Sequence, residues 1–384
     1  HQLRVQLAAV GAPIAGDRTY EGPAAPRLLL HARALSLPAI ERRFEVPEPK
    51  SFSRWLDGTL DALGDRAEIR RRLLDAGCLR FPVAQSSEAF RWVNTSADEL
   101  SGIIIDVYGG HLSLSLDSVE AEARAEELGE LLGELGALSV YLKRRLRQDL
   151  RRAERESIAP SAPLFGQAPA EVVVDEGGLK TKIELGDGMS TGLFVDQREN
   201  RRRVRELSHG AEVLNLFSYT CSFSVAAALG GATKVTSVDT AARALARGVE
   251  NFRINGLEPE RHGFIREDAL AFLQRAARRG TRFDLVVLDP PSFSSKGGAK
   301  AWSFARDYAE LASAALSVVK NGGSLLAVTN HRKTRALTLR RLLVESAEKL
   351  GRNVKRAKIL PPALDCPDGP NGPEPSKSVL ITLN

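Results

Sequence analysis

Cysteine and histidine are scarce in this chain of 384 residues, which contains three of the first and six of the second. The cysteines, Cys78, Cys221 and Cys366, are far apart, whereas zinc ligands and disulfide frameworks have short, recurring spacings. A few unpaired cysteines are typical of a reducing compartment. The composition therefore favours a cytoplasmic protein without a disulfide framework, and we expect no metal site.

Long apolar runs are absent as well. No segment approaches the roughly 18 consecutive apolar residues that a membrane-spanning helix needs, and the first residues lack the pattern of a signal peptide. We therefore expect no membrane partner. The chain begins with His1 rather than methionine, which leads us to expect that the front of a longer protein is missing.

The chain is long, and it is rich in apolar side chains and in arginine. With 384 residues and 43% hydrophobic side chains, it is long enough for two or three packed domains. The formal net charge is +6 and the pI is about 9.3. A mildly basic surface is consistent with a polyanionic partner. It is equally consistent with a coding sequence of high GC content, which favours arginine.

The most informative segment joins an apolar run, Phe283 to Leu288, to Asp289-Pro290-Pro291 and then to Phe293. The run predicts a strand, and the two prolines must end it because they lack N–H groups and fix φ. The carboxyl edge of an open α/β sheet is where ligands bind. A carboxylate, a fixed carbonyl and a ring at that edge are suited to a planar amine or a nucleobase. An ordinary strand exit is the alternative, since proline is common there.

Upstream, the order of elements is that of a nucleotide-binding half-fold. Residues 213–216 predict a strand, 224–229 a helix, and 234–239 a second strand that ends on Asp239. An acid at that place can accept hydrogen bonds from ribose hydroxyls. A third, short strand ends on Asp268, which is placed to meet an adenine amine. With Asp289, three successive strands each end on an acid.

Four motifs give the chain a resemblance to a known family. They are Thr-Gly-Leu-Phe-Val-Asp-Gln-Arg-Glu-Asn at 191–200, Leu-Asn-Leu-Phe-Ser-Tyr-Thr at 214–220, Asp-Pro-Pro-Ser-Phe at 289–293, and Gly322-Gly323. Over residues 86–384 the chain resembles the large-subunit (23S) ribosomal RNA methyltransferases that use S-adenosylmethionine (SAM). That family includes enzymes for carbon 5 of cytosine and for nitrogen 7 of guanine.

The resemblance implies an α/β fold, with a Rossmann-like class I SAM methyltransferase domain over 188–384 and a small α/β RNA-contact domain over 86–187. It implies SAM as the cofactor and large-subunit rRNA as the partner. The residues expected to bind the cofactor are Asp196, Arg198, Asn215, Phe217, Ser218, Tyr219, Thr220, Asp239, Asp268 and Asp289. The residues expected to be catalytic are Asp289, Pro290, Pro291, Phe293 and Asn330.

Two departures from the family bear on the mechanism. Cys221 stands where the family usually has glycine after Tyr-Thr. Asn330-His331 stand where the cytosine-C5 enzymes carry a nucleophilic cysteine, and methylation of an aromatic carbon needs such a thiolate. Cys78 and Cys366 lie far from this position in the sequence. The sequence therefore favours direct transfer to a ring nitrogen, of the guanine-N7 type, which rests on positioning and electrostatics.

Three alternatives stay open. A cytosine-C5 enzyme would need an unexpected thiol, and the Pro/Gly-rich tail loop that carries Cys366 would have to fold over the site. The acceptor could instead be a small molecule. The third alternative is an inactive RNA-binding module with a methyltransferase fold. It stays open because Cys221 replaces a glycine that would let the backbone approach a ligand closely.

The first 49 residues resemble a different family. Segments 1–20, 29–37 and 44–47 are similar to the C-terminal motif of RluA-type pseudouridine synthases. The resemblance implies a short β-rich fragment of such a domain, without the catalytic aspartate, which that family carries further upstream. We expect either a fusion of two RNA-modifying domains or a remnant that binds RNA. Residues 50–85 are expected to form a helical linker.

The densest basic cluster of the sequence lies in the small domain. It consists of Lys143, Arg144, Arg145 and Arg147, and the strand-borne Arg91 and Trp92 belong to the same domain. Phosphates bind closely spaced cations, and unpaired bases stack on rings. These six residues are therefore a candidate RNA-binding track, and a solvated run of charges is the alternative.

Overall fold

The computed structural model describes residues 2–17, 19–23, 25, 28–49, 51–58, 63–145, 155–291, 304–331, 334–367 and 376–384. Two of the predicted site residues, Arg147 and Phe293, lie outside this part of the chain. None of the described helices is long and apolar enough to cross a membrane.

The amino-terminal segment is held by an ion pair. It contains helix α1 (Gln2–Ala9) and a hairpin of strands β1 (Ala34–Leu37) and β2 (Arg42–Glu45). Arg4 donates hydrogen bonds of 2.7 and 2.8 Å to the buried carboxylate of Asp17. All residues of the hairpin strands are exposed, so this segment has little apolar core of its own. Its resemblance to pseudouridine synthases stays a prediction.

Two helices, α2 (Ser51–Leu56) and α3 (Arg66–Ala84), lead into a five-stranded sheet. Its strands, in their order across the sheet, are β3 (Ala89–Asn94), β4 (Ile103–Tyr108), β5 (His111–Leu116), β6 (Ser139–Arg144) and β7 (Phe165–Gly166). The helices within this unit are α4 (Val119–Glu122), α5 (Ala125–Glu134) and α6 (Arg155–Ile158). One buried cluster packs the sheet against α3 and α5.

The same small sheet also packs against the elements that lead to a second sheet. Strands β8 (Val172–Asp175) and β9 (Lys180–Ile183) form a hairpin, and helix α7 (Arg198–Leu207) follows. A further buried cluster combines Tyr108 and Tyr141 of the small sheet with side chains of this hairpin and with Leu193, close to the start of α7. Apolar packing therefore fixes the small sheet to the segment that opens the second sheet.

Seven strands form the second sheet. They are β10 (Glu212–Leu216), β11 (Lys234–Asp239), β12 (Gly263–Arg266), β13 (Phe283–Leu288), β14 (Val319–Thr329), β15 (Val354–Leu360) and β16 (Lys377–Leu383). The helices between them are α8 (Ser222–Leu229), α9 (Ala242–Ile254), α10 (Ala269–Arg278), α11 (Phe304–Ser317) and α12 (Ala336–Lys349).

The strands of this sheet lie in the order β12-β11-β10-β13-β14-β16-β15. The first five are parallel, and β16 is antiparallel to both of its neighbours. Helices α7, α8 and α9 contribute to the apolar cluster on one face, and α10, α11 and α12 to the cluster on the other. Coverage of both faces explains why the central strands read as continuous apolar runs. The α/β Rossmann-like fold predicted from the sequence is confirmed.

One buried carboxylate ties the small unit to the second sheet. Asp365, in the tail loop between β15 and β16, accepts hydrogen bonds of 2.9 and 2.5 Å from the guanidinium of Arg198 on α7. It also accepts a hydrogen bond of 2.9 Å from the backbone N–H of Arg91 on β3. Arg80 of α3, which is paired with buried Asp98, donates to the backbone carbonyl of Asp365. Three distant parts of the chain therefore converge on this residue.

We expect Asp365→Ala to lower the free energy of unfolding by about 3–5 kcal/mol, because it leaves the buried Arg198 guanidinium without its partner. Urea unfolding measures the change. The matched control is Glu206→Ala, which breaks an ion pair with Arg202 in which both side chains are more than half exposed, and which we expect to cost no more than about 1 kcal/mol. Equal, small losses in both variants would contradict the proposed importance of Asp365.

Candidate active site

The second sheet brings three of the predicted motifs to one edge. Leu216, the last residue of β10, is in register with Val238 of β11 on one side and with Leu288 of β13 on the other. The β10 loop (residues 217–221), Asp239 and Asp289 therefore leave the sheet next to one another. The strand order reverses between β10 and β13, and such a switch point opens the crevice in which α/β proteins bind ligands.

The β10 loop has an unusual backbone. Phe217, Tyr219 and Cys221 all have positive φ, at 56°, 47° and 63°, and none is glycine. Residues other than glycine hold this conformation at a cost and cluster at ligand sites. Asn251 of α9 helps to fix the loop by donating a hydrogen bond of 2.9 Å to the carbonyl of Thr220. Contacts with the rest of the protein therefore hold the loop in a backbone conformation that its residues disfavour.

Asp239 joins the β10 loop to helix α9. One carboxylate oxygen accepts a hydrogen bond of 2.9 Å from the backbone N–H of Tyr219, and the other accepts one of 2.8 Å from the N–H of Ala241. The side chain is half-buried. Each carboxylate oxygen has more than one lone pair, so Asp239 keeps the capacity to accept from a vicinal diol.

Cys221 is buried and packs against a glycine of α9. A Cβ atom at Gly248 would lie 2.4 Å from the sulfur of Cys221 and 2.9 Å from its Cβ, so only glycine fits opposite this side chain. Burial raises the pKa of Cys221 to about 12. The thiol therefore stays protonated at neutral pH, and Cys221 keeps the left-handed conformation that a glycine would supply.

Two carboxylates interact at the other side of the crevice. Burial and, to a smaller extent, the charge of Asp196 raise the pKa of Asp289 to about 7 against the opposing charge of Arg201. Burial also raises the pKa of Asp196, with Arg91 opposing and Asp106 adding to the effect. Two carboxylates that repel each other resist being ionised at the same time. A proton on one of them, or a cationic group of a ligand beside them, reduces this repulsion.

The end of β14 is tied to the start of α11 by stacked rings. His331 lies parallel to Phe304, with an interplanar angle of 11° and ring centroids 5.0 Å apart, and Phe304 in turn contacts Tyr308. The neighbouring Asn330 is exposed. Burial and the charge of Asp289 both raise the pKa of Tyr308. The sequence prediction missed Phe304 and Tyr308, whose only signal was an aromatic pair four residues apart after the Asp-Pro-Pro loop.

Cys366 lies near the site, in the tail loop that the sequence predicts to cross the site mouth. It is buried and interacts electrostatically with Arg91 and Asp196. Burial raises the pKa of this thiol well above its usual range, and the carboxylates of Asp365, Asp196 and Asp106 add to the rise while Arg91 opposes it. The described part of the tail loop thus brings a thiol that is neutral at physiological pH close to Asp196.

Other predicted cofactor residues are engaged inside the protein. Arg198 is paired with Asp365, and the amide of Asn215 is buried and donates a hydrogen bond of 2.9 Å to Ser224. Both side chains therefore have internal partners, and their direct contact with the cofactor stays a prediction. Asp268 is exposed and caps helix α10 by accepting from the N–H groups of the first turn.

The remaining predicted residues of the catalytic loop have different exposures. Pro290 is buried and Pro291 is exposed.

Ser218 is a cofactor candidate in the β10 loop. Its hydroxyl oxygen is buried without a hydrogen-bond partner in the part of the chain that the structure describes. A buried hydroxyl without a partner is costly, and it is available to a ligand.

The predicted RNA-binding track does not form a continuous surface. Lys143 is fully buried, and its ammonium donates hydrogen bonds of 2.5 Å to the carbonyls of Leu185 and Gly188. Its inclusion was wrong, because β6 is covered on both faces and all its residues from Ser139 to Lys143 are buried. Arg145, at the end of the same strand, is exposed, and Arg147 lies outside the described residues.

The other members of the predicted track have partners within the small unit. Arg91 donates a hydrogen bond of 2.8 Å to Asp106 of the neighbouring strand. The ring nitrogen of Trp92 donates one of 2.9 Å to the carbonyl of Leu73, so this ring packs on α3. Arg144 is half-buried and paired with Glu122 at 2.7 Å. These contacts stabilise the small unit. Asp106 and Glu122 largely neutralise the charges of Arg91 and Arg144.

Comparison with known proteins adds independent findings. Residues 144–361 match the family model described as "S-adenosylmethionine-dependent methyltransferase". A crystallised protein described as "SMU.776, a putative methyltransferase complexed with SAH" superimposes with a TM-score of 0.74 at 27% identity, covering 83% of this chain and 82% of its own. The fold is thus that of class I SAM methyltransferases.

Three curated relatives were compared over most of the chain. The protein YwbD of Bacillus subtilis is 35% identical over 71% of this chain, and the chain spans 66% of it. Ribosomal RNA large subunit methyltransferase I of Alteromonas mediterranea is 31% identical over 78% of this chain and 72% of its own length. Ribosomal RNA large subunit methyltransferase K of Neisseria meningitidis serogroup B is 37% identical over 59% of this chain and 65% of its own. The chain therefore spans about two thirds of the length of these relatives.

We expect Gly248→Ala to destabilise the fold by about 1–3 kcal/mol, because the added methyl group overlaps the sulfur of Cys221. The same substitution in a Cys221→Gly background should cost less than about 1 kcal/mol, since the space is then free and position 221 already favours glycine. Urea unfolding of the four proteins gives the double-mutant cycle. Additive effects of the two substitutions would contradict the proposed contact.

We expect Asp289→Asn to raise the melting temperature at pH 8. An acid whose pKa is raised from about 4 in the unfolded chain to about 7 in the folded chain makes the folded state less stable as pH rises through that window. The amide lacks this penalty, so the difference should shrink as pH falls and vanish near pH 4.

The control for the Asp289→Asn experiment is Asp57→Asn at an exposed position, which should change the melting temperature little at either pH. Thermal unfolding followed by circular dichroism at several pH values measures both variants. A melting temperature of Asp289→Asn that is equal to or below that of the parent protein at pH 8 would show that the carboxylate is not under electrostatic stress.

Proposed function

The chain belongs to the family of S-adenosylmethionine-dependent methyltransferases, and we propose that it methylates a nucleobase of large-subunit ribosomal RNA, in the cytoplasm, at a ring nitrogen of the guanine-N7 type. The substrate class is supported by the printed names of the Alteromonas and Neisseria relatives, of which the chain covers 72% and 65%. The choice of a nitrogen is supported by one observation, the burial of Cys221 and Cys366 in surroundings that raise the pKa of both thiols.

The crevice fits SAM, which when bound supplies a methyl group on a positively charged sulfur. In this proposal Asp239 accepts from the ribose hydroxyls and Asp268 from the adenine amine. The strained backbone of residues 217–220 contacts the rest of the cofactor, and the hydroxyl of Ser218 forms a hydrogen bond with it. Asp196 and Asp289 face the cationic part, which relieves the repulsion between them.

The acceptor base is proposed to lie against the Asp289-Pro290-Pro291 turn. The carboxylate of Asp289 and the carbonyl of Pro290 accept hydrogen bonds from the edge of the base, and the exposed amide of Asn330 reaches it from β14. Phe293 is assigned to stacking on the flipped base. A lone pair on nitrogen attacks the methyl group directly, so these residues position the reactants and exclude water rather than form a covalent bond.

The thiols support this reaction type. Cys221 has its pKa raised to about 12 and faces Gly248, and Cys366 has its pKa raised well above the usual range. Cys78 is exposed on α3. Covalent activation of cytosine needs a thiolate, which the buried environments of Cys221 and Cys366 disfavour. A cytosine-C5 reaction is nevertheless the second candidate, because Cys366 lies close to Asp196.

In the same proposal, residues 188–384 carry the chemistry and 86–187 support the RNA-contact side. Asp365, which joins them, keeps the tail loop over the crevice. The inactive RNA-binding module is less well supported, since Cys221 preserves the left-handed backbone that the cofactor loop requires and Gly248 makes room for it.

The test is to incubate the purified protein with SAM and deproteinised 23S rRNA and to identify the methylated nucleoside by mass spectrometry. We expect 7-methylguanosine, unchanged in Cys366→Ser, and no covalent adduct with rRNA that contains 5-fluorocytosine. Asp289→Ala should lower turnover by roughly 10²–10³-fold, the usual cost of a preorganised polar group. Formation of 5-methylcytidine, with loss of activity in Cys366→Ser, would overturn the nitrogen acceptor in favour of the second candidate.

A further inference from the structure

The net charge of the chain is concentrated in one short segment. Residues 335–358, from α12 through β15, contain eight arginines and lysines and only two acids, Glu345 and Glu348. The surplus of six positive charges equals the formal net charge of all 384 residues, +6. The remaining residues carry equal numbers of positive and negative charges, so this segment is one of the places where positive charge is in excess and where a polyanion would be attracted.

Most of these cations are exposed and several lack acidic partners. The exposed members are Arg335, Arg340, Arg341, Lys349, Lys355, Arg356 and Lys358. Within the part of the chain that the structure describes, Lys355, Arg356 and Lys358 form no ion pair, and Arg341 only approaches Glu345 at 3.8 Å. This differs from the small unit, where Arg91 and Arg144 are neutralised by acids at 2.8 and 2.7 Å.

The free cations lie on the outermost strand of the second sheet. Among the described strands, β15 pairs only with β16. Along it Ala357 and Ile359 pack against the apolar cluster of α12, whereas Arg356 and Lys358 are exposed. A groove of about 560 Å³ between α12 and β15 is lined by four cations, Arg340, Arg352, Lys355 and Arg356, and by one acid, Glu348.

This basic edge leads to the active-site end of the sheet. β14 and β15 are both antiparallel to β16, so they run in the same direction and their carboxyl ends share one edge. Lys358 is in register, through Leu380 and Leu326, with Val287 of β13, two residues before Asp289. Three strand spacings separate β15 from β13, about 15 Å. A single nucleic-acid strand carries several phosphates over that distance.

We propose that this basic edge, Lys355, Arg356 and Lys358 with Arg340 and Arg341 of α12, binds the phosphate backbone of the RNA substrate on its way to the crevice. This inference rests on the proposed function and names the surface that its substrate would contact. The contact is to phosphate and carries no base sequence, so it contributes affinity and salt dependence, while the crevice selects the nucleotide.

The experiment compares Arg356→Gln/Lys358→Gln with the parent protein for binding to deproteinised 23S rRNA over a range of salt concentrations. Loss of two phosphate contacts should lower the slope of log K against log salt by about 1 to 2 units and weaken binding about tenfold or more at low salt. SAM affinity, measured by calorimetry, should be unchanged, since neither side chain lies at the crevice, and this also checks that the variant is folded.

The matched control is Arg278→Gln/Arg279→Gln, which removes two exposed charges at the end of α10 and should leave rRNA affinity and its slope close to those of the parent. Equal effects of the two double variants, or an unchanged slope in Arg356→Gln/Lys358→Gln, would overturn the proposed track. Its charges would then serve to keep the edge strand from pairing with other chains. A parent protein that neither binds nor methylates 23S rRNA would instead refute the proposed function itself.

Discussion

The arrangement of the site depends on the burial of one carboxylate, Asp365. Its two oxygens hold the guanidinium of Arg198 at the start of α7 and the backbone of β3, and its carbonyl receives Arg80. A buried charge is tolerated only when it is matched in this way. As a result the small unit, the helix that opens the catalytic sheet and the tail loop have one fixed arrangement. Cys366 and the acid pair of Asp196 and Asp289 are brought close together through it.

Much of the catalytic sheet could be predicted from the sequence, because its determinants are local. Buried parallel strands appear as apolar runs, and an acid after such a run must lie at the carboxyl edge. Asp239 and Asp289 therefore could be assigned to one crevice before any coordinates were considered. The same argument holds for the β10 loop, which follows a neighbouring strand. The regular alternation of strand and helix from 212 onward made the fold class predictable.

The failures arise where contacts join residues that are distant in the sequence. Arg91 and Asp365 are 274 positions apart, and nothing local shows that the tail loop would bind the backbone of β3. Lys143 was counted as a surface cation because its neighbours are basic, but its strand turns it toward two carbonyls inside the protein. Arg198 lies in an expected motif, but its pairing with Asp365 in the tail loop could not be read from that motif. The sequence pattern indicates which helix or strand a residue belongs to, but tertiary packing determines where its side chain points.

The concentration of the whole net charge between 335 and 358 has a consequence for motion in solution. A surplus of positive charge along one edge contributes an electric dipole directed out through that edge. In the field of a polyanion this contribution produces a torque that turns β15 toward the polyanion before contact. Such orientation acts over roughly a Debye length, about 8–10 Å at physiological ionic strength, and it raises the fraction of encounters that begin on the correct side of the protein.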